Sequence, residues 1–294
     1  MILDEQYTLA NGVTIPKLGL GTWRIDDDAV AAVVREAAAI GYRHIDTAQA
    51  YGNERGVGEG LRASGLARDA LFVTTKLVAE SKTRADAARR IDESLRLIGL
   101  DHIDLMLIHS PQPWAEFRAG GDYDAGNLEA WRALEDALAA GKVRAIGVSN
   151  FERADLDNLL AHGSVAPAVN QVLAHVGATP FDLIDYCRSK GVLVQAYSPV
   201  AHGAALDDAA LGAMAARYGV GVAQLCIRYC LQLGLQPLPK TATPAHLRSN
   251  AELDFVISEA DMAVLQQARR TDYGAASAFP VFGKTRHPAA EART

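Results

Sequence analysis

The sequence predicts a (β/α)₈ TIM barrel, preceded by an N-terminal β-hairpin and carrying long loops at the carboxyl ends of its strands. Eight short apolar segments alternate with amphipathic stretches of helical period, which indicates strand–helix units. Glycines follow several of the helical stretches where a left-handed terminal residue is wanted. No linker or low-complexity tract divides the 294 residues. A continuous run of this length is typical of a closed parallel barrel, so we predict one domain over residues 1–294.

The elements can be assigned in order along the chain. The hairpin lies in YTLANGVTIPKLG, with Asn11-Gly12 as its turn. The predicted barrel strands are Leu18–Gly21, His44–Asp46, Leu71–Lys76, Ile103–Ile108, Ala145–Ser149, Ala168–Gln171, Leu193–Ser198 and Leu235–Pro239. The predicted helices are Ala29–Ile40, Glu54–Ser64, Arg84–Leu97, Leu128–Ala140, Arg153–Ala161, Phe181–Lys190, Leu206–Tyr218, Val222–Gln232 and Pro244–Asn250. Residues 272–294 lack clear periodicity, which leaves a tail packed over the barrel and a partly disordered tail both open.

Composition narrows the class of protein. The net charge is −6 without a long basic run, which argues against a nucleic-acid partner or an anionic membrane surface. We see neither a signal-peptide pattern nor an apolar run of about 20 residues that could span a membrane. The three cysteines form no CxxC pair, and the histidines have no metal-ligand spacing. We expect a reduced, cytoplasmic monomer without a bound metal.

Four reactive side chains follow three consecutive predicted strands. The second strand ends at Asp46, with Tyr51 in the next loop, and the third and fourth lead to Lys76 and His109. Each alone has an ordinary structural explanation, but barrel enzymes keep their chemistry at this edge. An ammonium beside a phenol should lower the phenol's pKa, and a carboxylate should keep the ammonium charged. The set therefore predicts a proton donor for a carbonyl oxygen.

The other strand ends carry groups suited to a bound hydride donor. Amides and hydroxyls after the fifth and sixth strands can bind a carboxamide, although turn chemistry explains each of them alone. An aromatic ring after the seventh strand can stack on another ring, and the last strand leads into a helix N-terminus, which favours phosphate. These residues are Ser149, Asn150, Gln171, Tyr197, Lys240 and Thr241.

A long segment after the fourth strand suggests a substrate pocket. Residues 111–127, PQPWAEFRAGGDYDAGN, form a predicted loop of a length that is uncommon unless it serves a site or is disordered. We expect Trp23, Trp114 and Phe117 to form pocket walls. For Trp114, packing of the loop on the barrel is an equally good interpretation.

At this point the sequence resembles the aldo-keto reductase family over nearly its whole length. The resemblance rests on LGLGTW, HIDTAQAYGNE, TTK, LIH, IGVSNF, NQ, YSP and PKTATPAHLRSN, in the family's order. The nearest similarity is to the bacterial diketogluconate or methylglyoxal reductase branch. It implies carbonyl reduction with NADP(H), Tyr51 as proton donor, and Asp46, Lys76 and His109 as its partners. The implied cofactor contacts are Gly21, Thr22, Ser149, Asn150, Gln171, Tyr197, Ser198, Val200, Lys240, Thr241, His246 and Asn250.

The sequence departs from the family pattern at two places. Ser110 stands where many members have tryptophan, which should open one pocket wall to small polar aldehydes and dicarbonyls. His246 and Ser249 stand where many have arginine and glutamate, and a neutral histidine is a weaker phosphate ligand than arginine. Arg248 lies two residues further on and could point elsewhere. We expect NADPH as cofactor, with NADH possible.

Other functions remain as alternatives. Tyr186 and Lys190 have the Tyr-x-x-x-Lys spacing of short-chain dehydrogenases, but no glycine-rich turn follows an N-terminal strand. The FGKT stretch near the C-terminus lacks the first glycine of a phosphate-binding loop. A Schiff-base aldolase could use Lys76, although Asp46 would favour the charged amine. A catalytically idle nucleotide-binding regulatory protein of the same fold is the main alternative.

Overall fold

The computed structural model describes residues 1–282. Its strands are β1 (Gln6–Thr8), β2 (Thr14–Pro16), β3 (Leu20–Gly21), β4 (His44–Asp46), β5 (Phe72–Leu77), β6 (Ile103–Ile108), β7 (Val143–Ser149), β8 (Val169–Leu173), β9 (Leu193–Tyr197) and β10 (Gln236–Leu238). Its helices are α1 (Asp27–Ile40), α2 (Glu54–Ala63), α3 (Arg84–Ile98), α4 (Asp124–Ala139), α5 (Arg153–His162), α6 (Phe181–Ser189), α7 (Ala209–Arg217), α8 (Val222–Gln232), α9 (Pro244–Ala251) and α10 (Glu259–Gln267).

The eight strands β3 to β10 form one parallel sheet in sequence order, so each strand pairs with the next along the chain. A parallel bridge between Gly21 and Lys240 joins the first strand to the last. Two backbone hydrogen bonds support this junction, from Gly19 N to Pro237 O (3.3 Å) and from Gly21 N to Pro239 O (3.1 Å). The sheet therefore closes into the predicted (β/α)₈ barrel.

The N-terminal hairpin of β1 and β2 belongs to a separate apolar cluster from the main core. Residues of the hairpin loop and β2 pack there against side chains from β5, β6, β7 and β8. The cluster comprises Leu9, Ile15, Phe72, Leu105, Leu107, Ala145, Ala168 and Val169. The β5 and β8 members lie at or near the start of their strands, so the hairpin covers the end of the barrel opposite the strand carboxyl ends.

The glycines of GVGEG allow α2 to pack closely against its neighbours. A side chain at Gly56 or Gly60 would overlap backbone oxygens of α1, and one at Gly58 would overlap the carbonyl oxygen of Ile98. All three glycines are buried within α2. They serve helix packing, so this stretch gives no support to a dinucleotide-binding turn.

Several predicted boundaries were wrong. Helix α4 begins at Asp124, so the loop predicted over residues 111–127 ends earlier and contains a short 3₁₀ helix, Trp114–Glu116. Strand β8 continues to Leu173, which places Gln171 within the strand rather than at its end. The sequence interpretation missed α10, whose buried residues are only Met262 and Leu265. So few apolar positions give a weak helical period.

The start of the C-terminal segment packs on the barrel as two short 3₁₀ helices, Gly274–Ala278 and Pro280–Phe282. Phe282 and Tyr273 are buried there. Gly283 to Thr285 of the FGKT stretch, and the rest of the predicted tail, lie outside the described residues. Within the described part, no single helix is long and apolar enough to cross a membrane; α7 and α8 pass that test only as a pair bent by 79°.

Candidate active site

Asp46 and Lys76 form a buried ion pair at the carboxyl ends of neighbouring strands. The Lys76 ammonium donates to Asp46 Oδ1 at 2.6 Å and to the Thr47 carbonyl at 2.8 Å. Lys76 has no exposed surface and Asp46 is 3% exposed. Burial lowers the pKa of Lys76 and raises that of Asp46, while their direct contact shifts both pKa values the other way. The short hydrogen bond to the carboxylate, with the second bond of the ammonium to the Thr47 carbonyl, favours the charged pair.

Tyr51 lies next to this pair, at the end of a short 3₁₀ helix that follows β4. Its hydroxyl is 3.3 Å from the Lys76 ammonium, which also lies 4.9 Å from the centre of its ring. The expectation of a lowered phenol pKa was wrong for this structure. Burial, reinforced by the charge of Asp46, raises the pKa of Tyr51 well above its usual value. The phenol is therefore protonated at neutral pH.

His109 follows β6 and faces Tyr51, with 5.6 Å between the ring centres. Burial and the nearby Lys76 charge lower the pKa of His109 well below its usual value, so the imidazole is neutral. Its Nδ1 atom is buried and has no hydrogen-bond partner among the described residues. A buried polar atom without a partner is costly unless a ligand satisfies it. The structure thus brings all four predicted catalytic side chains together.

Buried polar contacts hold the loop that carries Tyr51. Asn53 donates to the carbonyls of Thr22 (3.0 Å) and Ile25 (2.9 Å), and accepts from the Thr47 hydroxyl at 2.6 Å. These bonds join the loop after β3 to the loop after β4. Sequence reasoning did not single out Asn53, although an asparagine directly before a helix often caps its N-terminus. Its contacts bridge two loops instead.

Ser149, Asn150 and Tyr197 also meet at this edge of the barrel. The Ser149 hydroxyl donates to the Gln171 carbonyl at 2.8 Å, and the Tyr197 hydroxyl donates to Asn150 Oδ1 at 2.7 Å. Asn150 Nδ2 donates to the His109 carbonyl at 3.0 Å, and its φ of 63° is left-handed. Asn150 thus joins the predicted stacking ring to the backbone beside the imidazole.

Gln171 makes contacts that the sequence interpretation did not anticipate. Its side-chain nitrogen donates to Asp46 Oδ2 at 2.8 Å and to Gln195 Oε1 at 2.9 Å. Gln171 is only 2% exposed. Its predicted carboxamide contact therefore falls to the side-chain oxygen alone.

Two cations lie near one another where β10 leads towards α9. Burial and the Arg24 charge lower the pKa of Lys240, and burial together with the charges of Arg24 and Lys240 lowers the pKa of His202. Neither Arg24 nor Lys240 has an ion-pair partner among the described residues. Thr241, the next residue, accepts a hydrogen bond from Thr243 N at 3.1 Å. Unpaired cations beside a helix N-terminus suit a phosphate group. Sequence reasoning did not single out Arg24, which directly follows the LGLGTW motif.

The rest of the predicted phosphate segment is more mixed. Arg248 forms an ion pair with Glu36 at 2.7 Å, so it points away, as the sequence interpretation had allowed. His246 is exposed on α9, and Asn250 is buried on the same helix. Ser198 and Val200 are half-buried in the loop after β9, where Ser198 has a left-handed φ of 52°.

The predicted pocket residues divide into two groups. Trp114 packs edge-on against His109 with 5.1 Å between ring centres, and Phe117 lies 5.5 Å from Trp114. Ser110 is fully buried, and its carbonyl accepts from the Lys82 ammonium at 3.1 Å. Trp23 instead packs against His202 (5.2 Å) and Phe279 (4.9 Å). Trp23 therefore joins the loop after β3 to the C-terminal segment.

The Tyr186 and Lys190 pair, considered above as a short-chain dehydrogenase site, lies on α6 and its C-cap and not at the end of a barrel strand. Tyr186 lies on α6 with its hydroxyl against Asp157, and Lys190 caps that helix over the Tyr186 ring. All three cysteines are buried and unpaired within residues 1–282. In the same part of the chain, no group of three or more His, Cys, Asp or Glu side chains could hold a metal ion.

Comparisons with known proteins agree with this geometry. A model of the Aldo/keto reductase family matches residues 17–270. The glyoxal reductase of Bacillus subtilis (strain 168) is 38% identical over 262 residues, covering 88% of this chain and 91% of that protein. The D-galacturonate reductase of Hypocrea jecorina is 36% identical over 281 residues, 90% of each chain.

Solved structures show the same fold. The crystal structure of a Bombyx mori aldo-keto reductase in complex with NADP has a TM-score of 0.84 at 33% identity, and the match covers 95% of this chain and 98% of that chain. An aldo/keto reductase from Brucella melitensis also gives a TM-score of 0.84, at 35% identity, over 90% of this chain and 98% of that one. With its barrel, its family match and these relatives, the chain belongs to the aldo/keto reductase family.

Proposed function

We propose that this oxidoreductase reduces small aldehydes and dicarbonyls to alcohols, with NADPH as hydride donor and Tyr51 as proton donor. The observation that carries the proposal is the contact chain from Asp46 through Lys76 to the Tyr51 hydroxyl, at 2.6 and 3.3 Å. Relatives named as a glyoxal reductase and a D-galacturonate reductase support carbonyl reduction.

The residues around Tyr51 suit proton donation to a carbonyl oxygen. The phenol is protonated at neutral pH, and the raised pKa caused by burial and the Asp46 charge opposes loss of that proton. When the proton leaves, the Lys76 ammonium at 3.3 Å stabilises the phenolate. At an effective dielectric constant of 20, two unit charges at that distance attract by about 5 kcal/mol. Asp46 keeps the ammonium charged and oriented through the transfer.

His109 positions the carbonyl oxygen in this proposal. A neutral imidazole has one N–H donor and one acceptor nitrogen, so it can donate a hydrogen bond without competing as an acid. The imidazole adjoins the Tyr51 ring, and its buried Nδ1 has no partner among the described residues. His109 and Tyr51 can then bind one oxygen from two sides.

The described residues fit an extended dinucleotide. Arg24, Lys240 and the start of α9 provide cationic and backbone groups for phosphates. Tyr197 provides an aromatic face and Asn150 a side-chain amide. When bound, NADPH supplies the hydride. Relatives crystallised with NADP or NADPH support this choice of cofactor.

The pocket favours compact substrates in this proposal. Trp114 stands against His109, which narrows the approach on one side. Ser110, the small residue that follows His109, has no exposed surface. We therefore expect efficient reduction of glyoxal-type dicarbonyls. Ser110→Trp should raise KM for them several-fold while leaving NADPH affinity unchanged; unchanged kinetics would count against this pocket.

The decisive experiment compares wild type with Tyr51→Phe, using NADPH oxidation with methylglyoxal as acceptor. Because a positioned proton donor typically contributes about 10²–10⁴-fold, kcat should fall by roughly that factor. NADP⁺ affinity, measured by fluorescence quenching, should stay within about twofold. Normal turnover by the variant would refute the role of Tyr51. Nucleotide binding without turnover by the wild type would favour an idle binding protein.

A further inference from the structure

Three glutamines from adjacent strands form a hydrogen-bonded row inside the barrel, which we call the glutamine row. In the sheet register, Gln171 of β8 pairs with Gln195 of β9, and Gln195 pairs with Gln236 of β10. Gln171 Nε2 donates to Gln195 Oε1 at 2.9 Å, and Gln195 Nε2 donates to Gln236 Oε1 at 2.5 Å. Gln195 and Gln236 have no exposed surface.

Both ends of the glutamine row are fixed by groups that can only accept. At one end, Gln171 Nε2 donates to the Asp46 carboxylate at 2.8 Å. At the other, Gln236 Nε2 donates to the Pro16 carbonyl at 2.6 Å. An amide oxygen cannot replace nitrogen at either contact. These two contacts fix which side-chain atom of Gln171 and of Gln236 is the nitrogen, so the donor and the acceptor of every hydrogen bond in the row follow from them.

His44 completes the row and agrees with its direction. Gln236 Nε2 lies 2.7 Å from His44 Nδ1, and His44 Nε2 lies 2.9 Å from the Thr74 hydroxyl. Since Gln236 is the donor, Nδ1 accepts and Nε2 carries the proton. Burial lowers the pKa of His44 to about 3, so it stays neutral and keeps this tautomer.

The row uses both N–H groups of the Gln171 side chain. One is bound to Asp46 and the other to Gln195, so only the side-chain oxygen is left to bind a ligand. That oxygen accepts no hydrogen bond from the described residues. It is also not among their buried, unpartnered polar atoms, which are Arg68 Nε, His109 Nδ1 and Asn170 Oδ1. Gln171 can therefore offer an acceptor to the site and cannot offer a donor.

We propose that Gln195 is a positioning residue that fixes the Gln171 amide, so that the site selects a nicotinamide ring bearing an N–H donor. In this proposal Gln195 does not contact the cofactor and acts only through its hydrogen bond with Gln171. The inference rests on the proposed use of a nicotinamide cofactor. It adds that carboxamide selectivity is set by the buried row and not by Gln171 alone.

The test compares dissociation constants, measured by fluorescence quenching, for NADP⁺ and its 3-acetylpyridine analogue, in which a methyl group replaces the carboxamide NH₂. One neutral hydrogen bond contributes about 0.5–1.5 kcal/mol, so wild type should bind NADP⁺ roughly 2–12-fold more tightly than the analogue. In Gln195→Met, which is nearly isosteric but a weak acceptor, Asp46 alone holds the Gln171 amide, which can then turn about that contact, so this ratio should fall towards one.

Two variants separate positioning from general damage. Gln195→Glu, protonated because burial favours the neutral acid, can still accept from Gln171 and donate to Gln236, so it should restore the ratio. Gln232 serves as a control, because its side-chain amide also donates one hydrogen bond and accepts others, with the Ile257 backbone and Arg228, but lies on α8 outside the row. Gln232→Met should keep the wild-type ratio. If Gln195→Met does not fold, Gln195→Leu takes its place.

Binding of 2′,5′-ADP, which lacks the nicotinamide, distinguishes the possible failures. The inference would be supported if wild type and Gln195→Met bind 2′,5′-ADP equally well while the variant has a lower preference for NADP⁺ over the 3-acetylpyridine analogue. An unchanged ratio in Gln195→Met would overturn it while leaving the proposed function standing. If Gln195→Met loses as much affinity for 2′,5′-ADP as for NADP⁺, the role of Gln195 is merely structural, and this result would also overturn the inference. Absence of NADP⁺ binding by wild type would overturn both proposals.

Discussion

Replacing Lys76 by methionine should destabilise the fold as well as abolish proton transfer. The side chain has no exposed surface and donates to Asp46 at 2.6 Å. Its removal leaves a carboxylate that is 3% exposed, with Gln171 as its one remaining side-chain partner among residues 1–282. Breaking a buried pair in this way typically costs about 3–5 kcal/mol.

The loss should be visible in thermal unfolding. Each kcal/mol shifts Tm by roughly 2–4 °C in domains of 150–250 residues, so we expect a fall on the order of 10 °C at pH 7. Arg248→Met, which breaks the exposed pair with Glu36, serves as control and should cost less than about 1 kcal/mol. The double variant Asp46→Asn/Lys76→Met should recover about half of the lost stability without recovering turnover, because no unpaired charge stays buried.

The pH dependence gives an independent check. In Lys76→Met, burial raises the folded-state pKa of Asp46 above its ordinary value of 3.8, and the ammonium no longer opposes that shift. A carboxyl with a raised folded pKa favours folding when it is protonated and loses that contribution as pH rises. The stability gap between wild type and variant should therefore narrow from pH 7 towards pH 4. A gap that stays constant, or a loss below about 1 kcal/mol at pH 7, would refute the buried charged pair.

Three further predictions concern packing, loop anchoring and phosphate binding. Gly58→Ala should lower the unfolding free energy by several kcal/mol, because the new methyl group would overlap the Ile98 carbonyl. The control Gly212→Ala, whose methyl group meets open space on α7, should be neutral or stabilise by about 0.5–1 kcal/mol. Equal urea midpoints for the two variants would contradict the predicted overlap at Gly58. Asn53→Ala should cost about 1–3 kcal/mol by unpairing buried groups, with a parallel loss of kcat; unchanged stability would show that water replaces the amide. Lys240→Met should weaken NADP⁺ binding more than NAD⁺ binding in titrations, and an equal effect on both would place the lysine away from the 2′-phosphate.

The fold could be predicted from the sequence because the alternation of strands and helices, and the glycines that end the helices, can be recognised within short stretches of the chain. The same holds for the four reactive residues, since Asp46, Tyr51, Lys76 and His109 each lie at or shortly after the carboxyl end of a recognisable strand. Family resemblance supplied the roles. It could not supply the raised pKa of Tyr51, which depends on how deeply the phenol is buried.

Features that depend on three-dimensional register were missed. Gln195 and Gln236 are 41 residues apart, and nothing near either predicts that they share one level of the barrel. Arg24 was missed for a similar reason, because its proximity to Lys240 arises only when the first and last strands meet. Packing of Trp23 on Phe279 likewise depends on the path of the C-terminal segment. Long-range pairings of this kind leave no local periodicity to read.

The closure between β3 and β10 has a consequence for local unfolding. One bridge and two backbone hydrogen bonds, from Gly19 and Gly21, join these strands, whereas β5 and β6 pair at four positions. Few backbone bonds mean a low free energy of local opening, so amide hydrogens at this junction should exchange with deuterium sooner than those of the central strands. Because Lys240 forms that bridge, a bound phosphate should slow exchange at Gly19 and Gly21 specifically. A sparsely bonded junction of the barrel would then become one of its most protected regions when the site is filled.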